Sequence, residues 1–145
     1  IYNETLRDRI CAVSNKTHYN EMNVLSMHAL IGAYQPQGYE WVDELNQVLA
    51  DNIEYFCDYV DEHFEGVSYS RPQGTYMVFL DCTEWCREHG RDIQWLLDEG
   101  ARVGVGYQDG RPFHGPCHIR VNLALPLSRV REACDRLDRY VFNAR

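Results

Sequence analysis

One apolar stripe constrains this sequence more than any other feature, and it lies in the segment from Tyr39 to Phe64. Its members recur at spacings of three and four residues and are Trp41, Leu45, Val48, Leu49, Ile53, Phe56, Val60 and Phe64. Acidic side chains occupy many of the positions in between, so the pattern predicts one long amphipathic helix with a single buried side. Gly66 is predicted to cap its C-terminus. Such a helix requires a second layer to pack against.

The residues after Gly66 provide that layer, because the hydrophobic period changes there from 3.6 to 2. Strands are predicted at 67–70, 75–81, 101–105 and 118–123. Both faces of the second strand are apolar, so we expect it in the centre of a sheet.

Helices are predicted between and after these strands. One follows Thr83, and another covers about 92–98 and closes at Gly100. The last begins with Ser128 as its N-cap. The order of elements predicts an α/β fold of the α+β two-layer type. It comprises a small mixed or antiparallel sheet of three or four strands, with helices packed on one side and a long connecting helix before it.

Two more helices are predicted before the break at 35–38. The first carries Leu6, Ile10 and Val13 along one side. The second, at 22–34, is apolar around much of its circumference, so it needs to be covered on more than one side.

Composition excludes several classes of function. The net charge of −8 argues against binding to nucleic acid or to an anionic membrane surface. No apolar run approaches the roughly 20 residues of a membrane span. The six cysteines are scattered, without a CxxC pair, and His114, Cys117 and His118 lack a second ligand pair for zinc. We therefore expect buried, reduced thiols, a cytoplasmic protein and no metal site.

Arg120 is the strongest candidate for a binding residue. Strand alternation places Ile119 and Val121 on one face and Arg120 and Asn122 on the other. A guanidinium fixed on a strand suits a carboxylate, to which it donates two parallel hydrogen bonds. An ordinary solvent-exposed arginine satisfies the same alternation, so the pattern by itself leaves both interpretations open.

Three segments resemble a known family. The residues from Gly104 to Gly115, followed by those from Ile119 to Pro126, resemble the C-terminal signature of the class I/II aminotransferases. The segment from Pro72 to Asp81 is similar to the strand that precedes this signature. The resemblance is strongest to the C–S lyase branch that includes cystathionine β-lyase. It implies that residues 1–35 are helices of the large-domain and connecting region, and that residues 36–145 are the small C-terminal domain.

The resemblance also implies a function for individual residues. Arg120 is implied to bind the substrate α-carboxylate with Asn122 beside it, and Gly74 and Tyr76 to line the cleft. The implied cofactor is pyridoxal 5'-phosphate (PLP), and the implied reaction on an amino acid is transamination or C–S β-elimination. PLP needs a Schiff-base lysine, and Lys16, the only lysine, is predicted to lie on the surface. We therefore expect no catalytic or cofactor-binding residue in this chain and no activity from it alone.

Two expectations concern the whole protein. The chain begins with Ile1 and without a signal peptide, so we expect it to continue a longer enzyme, a homodimer by the resemblance. Alone, it is expected to self-associate through its N-terminal helices. The loop before Arg120 departs from the family pattern at His114, Pro116 and Cys117, which leaves the substrate open. The alternative is a free-standing small α/β domain that senses an amino acid through Arg120.

Overall fold

The computed structural model describes residues 2–19 and 21–144, which form two compact units divided between Asp43 and Glu44. The first unit contains the two predicted N-terminal helices, α1 (Glu4–Thr17) and α2 (Val24–Ala33). Asn3 and Asn23 cap them, since each side-chain oxygen accepts a backbone N–H of the first turn at 2.9 Å. The apolar side chains of both helices are exposed.

The long helix α3 spans Pro36–His63, and the boundary between the two units falls within it. Its first residue is a proline, which is favoured there because the first turn has no partner for a backbone N–H. The predicted break at 35–38 is therefore shorter than expected, and Gly38 lies inside the helix. Gly66 does not cap it: the helix ends three residues earlier, and the Gly66 carbonyl accepts the Trp85 N–H at 3.0 Å.

The sheet is antiparallel throughout and has the strand order β1-β2-β4-β3. Its strands are β1 (Ser68–Tyr69), β2 (Met77–Asp81), β3 (Gln108–Asp109) and β4 (His118–Asn122). The central position of β2 is confirmed.

The predicted strand at 101–105 is wrong. Helix α5 (Ile93–Arg102) extends past Gly100, which is buried against the Tyr107 ring instead of closing the helix. Gly104 then adopts a left-handed conformation, φ +77°, which is incompatible with an extended strand at that point. The third strand begins only at Gln108.

The remaining helices are α4 (Thr83–His89) and α6 (Leu127–Leu137), the latter followed by a π-helical turn, Asp138–Phe142. Ser128 is not the N-cap of α6: the helix begins one residue earlier, Pro126 holds the cap position, and no side chain caps the first turn.

The core lies on one side of the sheet, as predicted. Val78, Leu80, Ile119 and Val121 face helices α3 to α6, which contribute most of the other buried side chains. Those are Phe56, Cys57, Val60, Trp85, Cys86, Ile93, Leu96, Val130, Cys134 and Leu137. No helix among the described residues is long and apolar enough to cross a membrane.

Candidate functional site

The candidate site lies on the sheet face away from the core, which we call the open face. It consists of the alternate residues of the two central strands, Met77, Phe79, Asp81, His118, Arg120 and Asn122. All six are half-buried or exposed. The predicted alternation of β4 is therefore observed, with Ile119 and Val121 buried on the other face.

Arg120 is half-buried and held by two neutral groups. Its Nε donates to the Gln108 side-chain oxygen at 2.6 Å, and its Nη2 donates to the same oxygen. Its Cζ lies 4.0 Å from the centroid of the Phe113 ring, a cation–π contact. Among the described residues, no carboxylate lies within salt-bridge distance of this guanidinium.

The neighbouring loop explains how these partners reach Arg120. Gln108 lies directly opposite Arg120 in the β3–β4 ladder, so the two side chains share the open face. A 3-10 turn, Arg111–Phe113, then directs the Phe113 ring over the guanidinium. Gly110 permits this turn to pass close to β4, because a Cβ there would lie 2.7 Å from the Cβ of His118.

Arg111, in the same loop, differs from Arg120 in having an acidic partner. Its guanidinium lies 2.7 Å from an Asp109 carboxylate oxygen and also donates to Gln94 at 2.9 Å. The backbone N–H of Arg111 and this ion pair hold the pKa of Asp109 below its ordinary value. Arg111 is thus neutralised within the protein, whereas Arg120 keeps its charge available.

The other predicted site residues lie in two different places. Asn122 is on the open face with Arg120, but its side-chain oxygen accepts the Ala124 N–H at 2.8 Å. Gly74 and Tyr76 border a separate cavity of about 500 Å³ between α3 and the loop that precedes β2. A Cβ at Gly74 would meet no atom within 4 Å, so close packing does not require glycine there.

A buried asparagine secures the chain just beyond β4. Asn52 of α3 is fully buried, and its amide nitrogen donates to the carbonyl oxygens of Leu123 and Leu125, both at 2.8 Å. These bonds fix the segment that leaves the strand two residues after Arg120. The burial and bonding of Asn52 were not predicted, because its partners lie more than 70 residues away and the neighbouring residues do not indicate them.

The sequence also makes predictions for Lys16 and for the cysteines. Lys16 is exposed in the last turn of α1. Four of the cysteines are buried, and burial raises the pKa of Cys86 and of Cys134 to about 12. Cys11, in contrast, is exposed, so the expectation of buried thiols is wrong at that position.

Comparison with known proteins identifies the family. The family model described as aminotransferase class I and II matches residues 2–137. The chain belongs to this family. The predicted resemblance is therefore confirmed, and it covers nearly the whole chain.

Two curated relatives of this aminotransferase-family chain show how much of a longer protein it matches. A putative cystathionine beta-lyase of Mycobacterium leprae is 35% identical over an alignment of 124 residues, and the match covers 74% of this chain and 30% of the relative. Protein MalY of Escherichia coli is 30% identical over an alignment of 135 residues, and the match covers 91% of this chain and 34% of MalY. The chain thus spans about a third of the length of these relatives.

Solved structures share the fold. A PLP-bound putative aminotransferase from Clostridium difficile superposes with a TM-score of 0.79 at 23% identity, over 95% of this chain and 35% of that chain. A PLP-bound C-S lyase from Staphylococcus hominis gives 0.76 at 24% identity, with the same coverage. The predicted small α/β architecture is therefore confirmed.

Proposed function

We propose that this chain is the substrate-carboxylate-binding part of a longer PLP-dependent enzyme that acts on amino acids. Residues 1–35 would belong to the large-domain and connecting region and residues 36–145 to the small domain. The proposal depends chiefly on Arg120, a half-buried cation on a rigid strand that has only neutral partners. Its position in the family signature and the C–S lyase relatives support the same interpretation.

Arg120 would act by charge and by orientation. A guanidinium binds a carboxylate through two parallel, charge-assisted hydrogen bonds, which fix the rotation of the ligand as well as its position. Holding the α-carboxylate in one orientation also fixes the directions of the bonds at the neighbouring Cα, which lowers the entropic part of the reaction barrier. Transamination and C–S β-elimination both need this orientation, and we propose one of them as the reaction.

The described residues do not fit the covalent PLP site. In PLP enzymes the cofactor serves as the electron sink and forms a Schiff base with a lysine. Lys16 is the only lysine, and it is exposed in the last turn of α1. We therefore assign PLP to the longer protein and expect the chain alone to be inactive.

The remaining proposals concern assembly and location. Exposed apolar side chains are concentrated in α1 and α2, where Leu6, Ile10, Leu25, Leu30 and Ile31 are at least 46% exposed. We propose that these helices are covered in the longer enzyme, a homodimer, and that the chain alone self-associates through them. The buried thiols favour a reducing, cytoplasmic location.

A free-standing amino-acid-binding domain is the second candidate. One observation favours it, namely that residues 44–145 enclose a continuous core of their own. Light scattering over a concentration series distinguishes the two candidates. A dilution-stable monomer with little dye-binding apolar surface would support the free-standing domain, and concentration-dependent association would support the enzyme.

The reading frame upstream of codon 1 provides the first test. We expect an open frame with a lysine in a Ser/Asn-rich turn shortly before Ile1, and further upstream an acidic residue and a glycine-rich loop. A start codon at or just before Ile1 would contradict the enzyme proposal.

Substitution of Arg120 in the longer protein provides the second test. Arg120→Met should lower kcat/KM for an amino-acid substrate at least about 100-fold, because two hydrogen bonds to a charged group are lost and each contributes about 1.5–3 kcal/mol. Arg111→Met removes the same charge from the adjoining loop and should change kcat/KM less than threefold. Equal losses in the two variants would contradict the assignment of Arg120.

A further inference from the structure

We infer that Gln108 is a positioning residue for the carboxylate site: it holds one edge of the Arg120 guanidinium and, being neutral, leaves the arginine's charge to the ligand. A ligand carboxylate would then bind at the outer edge, formed by Nη1 and Nη2. This inference rests on the proposed function of Arg120.

The edge that Gln108 occupies follows from its hydrogen bonds. A guanidinium offers two edges for paired hydrogen bonds, one formed by Nε with one Nη and one formed by the two Nη groups. The Gln108 oxygen accepts from both Nε and Nη2 of Arg120, and therefore takes the first edge. Nη1 donates no hydrogen bond among the described residues, so the second edge remains available.

Two contacts hold the guanidinium plane in this position. Gln108 and Arg120 are direct cross-strand neighbours, so their backbones are fixed by the β3–β4 ladder. The Phe113 ring, 4.0 Å from Cζ, covers one side of the guanidinium. An arginine restrained in this way loses less side-chain entropy when a ligand binds.

The neutrality of Gln108 determines whether Arg120 can bind an anion. Asp109, one residue further along β3, shows the effect of an acidic partner, because its carboxylate lies 2.7 Å from the Arg111 guanidinium and neutralises it. A glutamate at position 108 would stand where the Gln108 oxygen now accepts the Arg120 Nε at 2.6 Å. It would form an internal ion pair and repel a second carboxylate. The amide therefore leaves the guanidinium able to bind an anionic ligand, and the free edge suits a carboxylate lying in the guanidinium plane.

The test is an NMR titration of the whole 145-residue chain with sodium acetate, compared with sodium chloride at equal ionic strength. Acetate should shift the Arg120 Cζ resonance in a saturable way. The Gln108 side-chain amide resonances should stay in place, because the ligand takes the other edge. The Gln94 amide, which contacts Arg111, serves as an internal reference.

Three variants separate charge from structure. Gln108→Glu should weaken acetate binding at least about tenfold, since a second negative charge near the ligand opposes it at close range. Gln108→Ala keeps the arginine's charge and should weaken binding only about two- to threefold. Gln94→Glu introduces the same charge beside Arg111 and should change acetate binding less than twofold. Whether the Gln108 amide resonances move is measured in the unaltered chain, so a variant that fails to fold does not prevent the test.

The outcomes distinguish the two proposals. No acetate-specific shift at Arg120 in the unaltered chain would contradict the proposed function, and the inference with it. Binding accompanied by movement of the Gln108 amide to an unbonded position would overturn the inference alone. Undiminished acetate binding by Gln108→Glu would do the same.

Discussion

The two hydrogen bonds from Asn52 to the segment beyond β4 permit a quantitative prediction. Asn52→Ala removes both bonds, which costs about 1 kcal/mol each, and leaves a small cavity at a fully buried position, which costs about 1 kcal/mol more. The Leu123 carbonyl keeps the Leu125 N–H as a partner at 2.8 Å. The Asn52 side-chain oxygen already has no partner, so its removal returns about 1 kcal/mol. We expect a net loss of about 2 kcal/mol in the free energy of unfolding.

Asn52→Asp sharpens this prediction because it preserves the volume of the side chain. A carboxylate cannot donate, and it would face two carbonyl oxygens in a buried position, so the loss should reach at least about 3 kcal/mol. Asn46→Ala, in an exposed turn of the same helix, is the matched control and should stay within about 0.5 kcal/mol.

Urea unfolding followed by tryptophan fluorescence measures these losses, since Trp85 is buried in the core that Asn52 adjoins. With a denaturant slope of about 1.5 kcal/mol per molar, the midpoint of Asn52→Ala should fall by roughly 1.3 M. If Asn52→Asp were as stable as the unaltered chain at pH 7, the two hydrogen bonds and the burial of Asn52 would both be refuted.

Three more predictions address other parts of the molecule. Gly100→Ala should destabilise the protein by about 1–3 kcal/mol, because its Cβ would collide with the Tyr107 ring. Gly32→Ala in α2 has open space around the new Cβ and should stabilise the protein by up to about 1 kcal/mol. Thermal unfolding of both variants measures the difference. A thiol reagent at pH 8 should modify the exposed Cys11 rapidly and the four buried cysteines only after urea is added; rapid modification of four or more thiols in the native protein would contradict the observed burial. Two arginines pair with Glu132 and hold its pKa below the ordinary value, so its contribution to stability is present above the unfolded pKa of about 4.3 and is lost as the pH falls through the folded pKa. Glu132→Gln should therefore make the free energy of unfolding fall less steeply between about pH 5 and 3. An unchanged pH dependence would exclude this contribution.

Local periodicity was sufficient to predict the strand that carries Arg120 and the long helix α3. The stripe from Tyr39 to Phe64 predicted α3, and the alternation around Arg120 predicted β4 with its correct faces. One face of β4 and one side of the second half of α3 are buried in the core, so consecutive residues there show the burial pattern. The central position of β2 could be predicted for the same reason. Trp41 and Val48, in the first half of the stripe, are exposed, so the prediction of a buried side is wrong for that half.

The partners of Arg120 could not be predicted in this way. β3 has only two residues, too few to show a period, and it is a strand only because it pairs with β4. The residues 101–105 were predicted to form a strand, but Gly104 adopts a left-handed conformation and turns the chain there. With β3 placed too early, the cross-strand contact between Gln108 and Arg120 remained hidden, and so did the Phe113 contact, which depends on the turn after Gly110.

The shortness of the outer strands β1 and β3 limits aggregation of the protein through its sheet edges. Both outer strands are two residues long, so each edge exposes very few unpaired backbone groups to another chain. Long flat edges recruit further strands and lead to fibres, whereas short ones give a second copy little to register against. The open face can therefore stay uncovered without the sheet becoming a template for polymerisation.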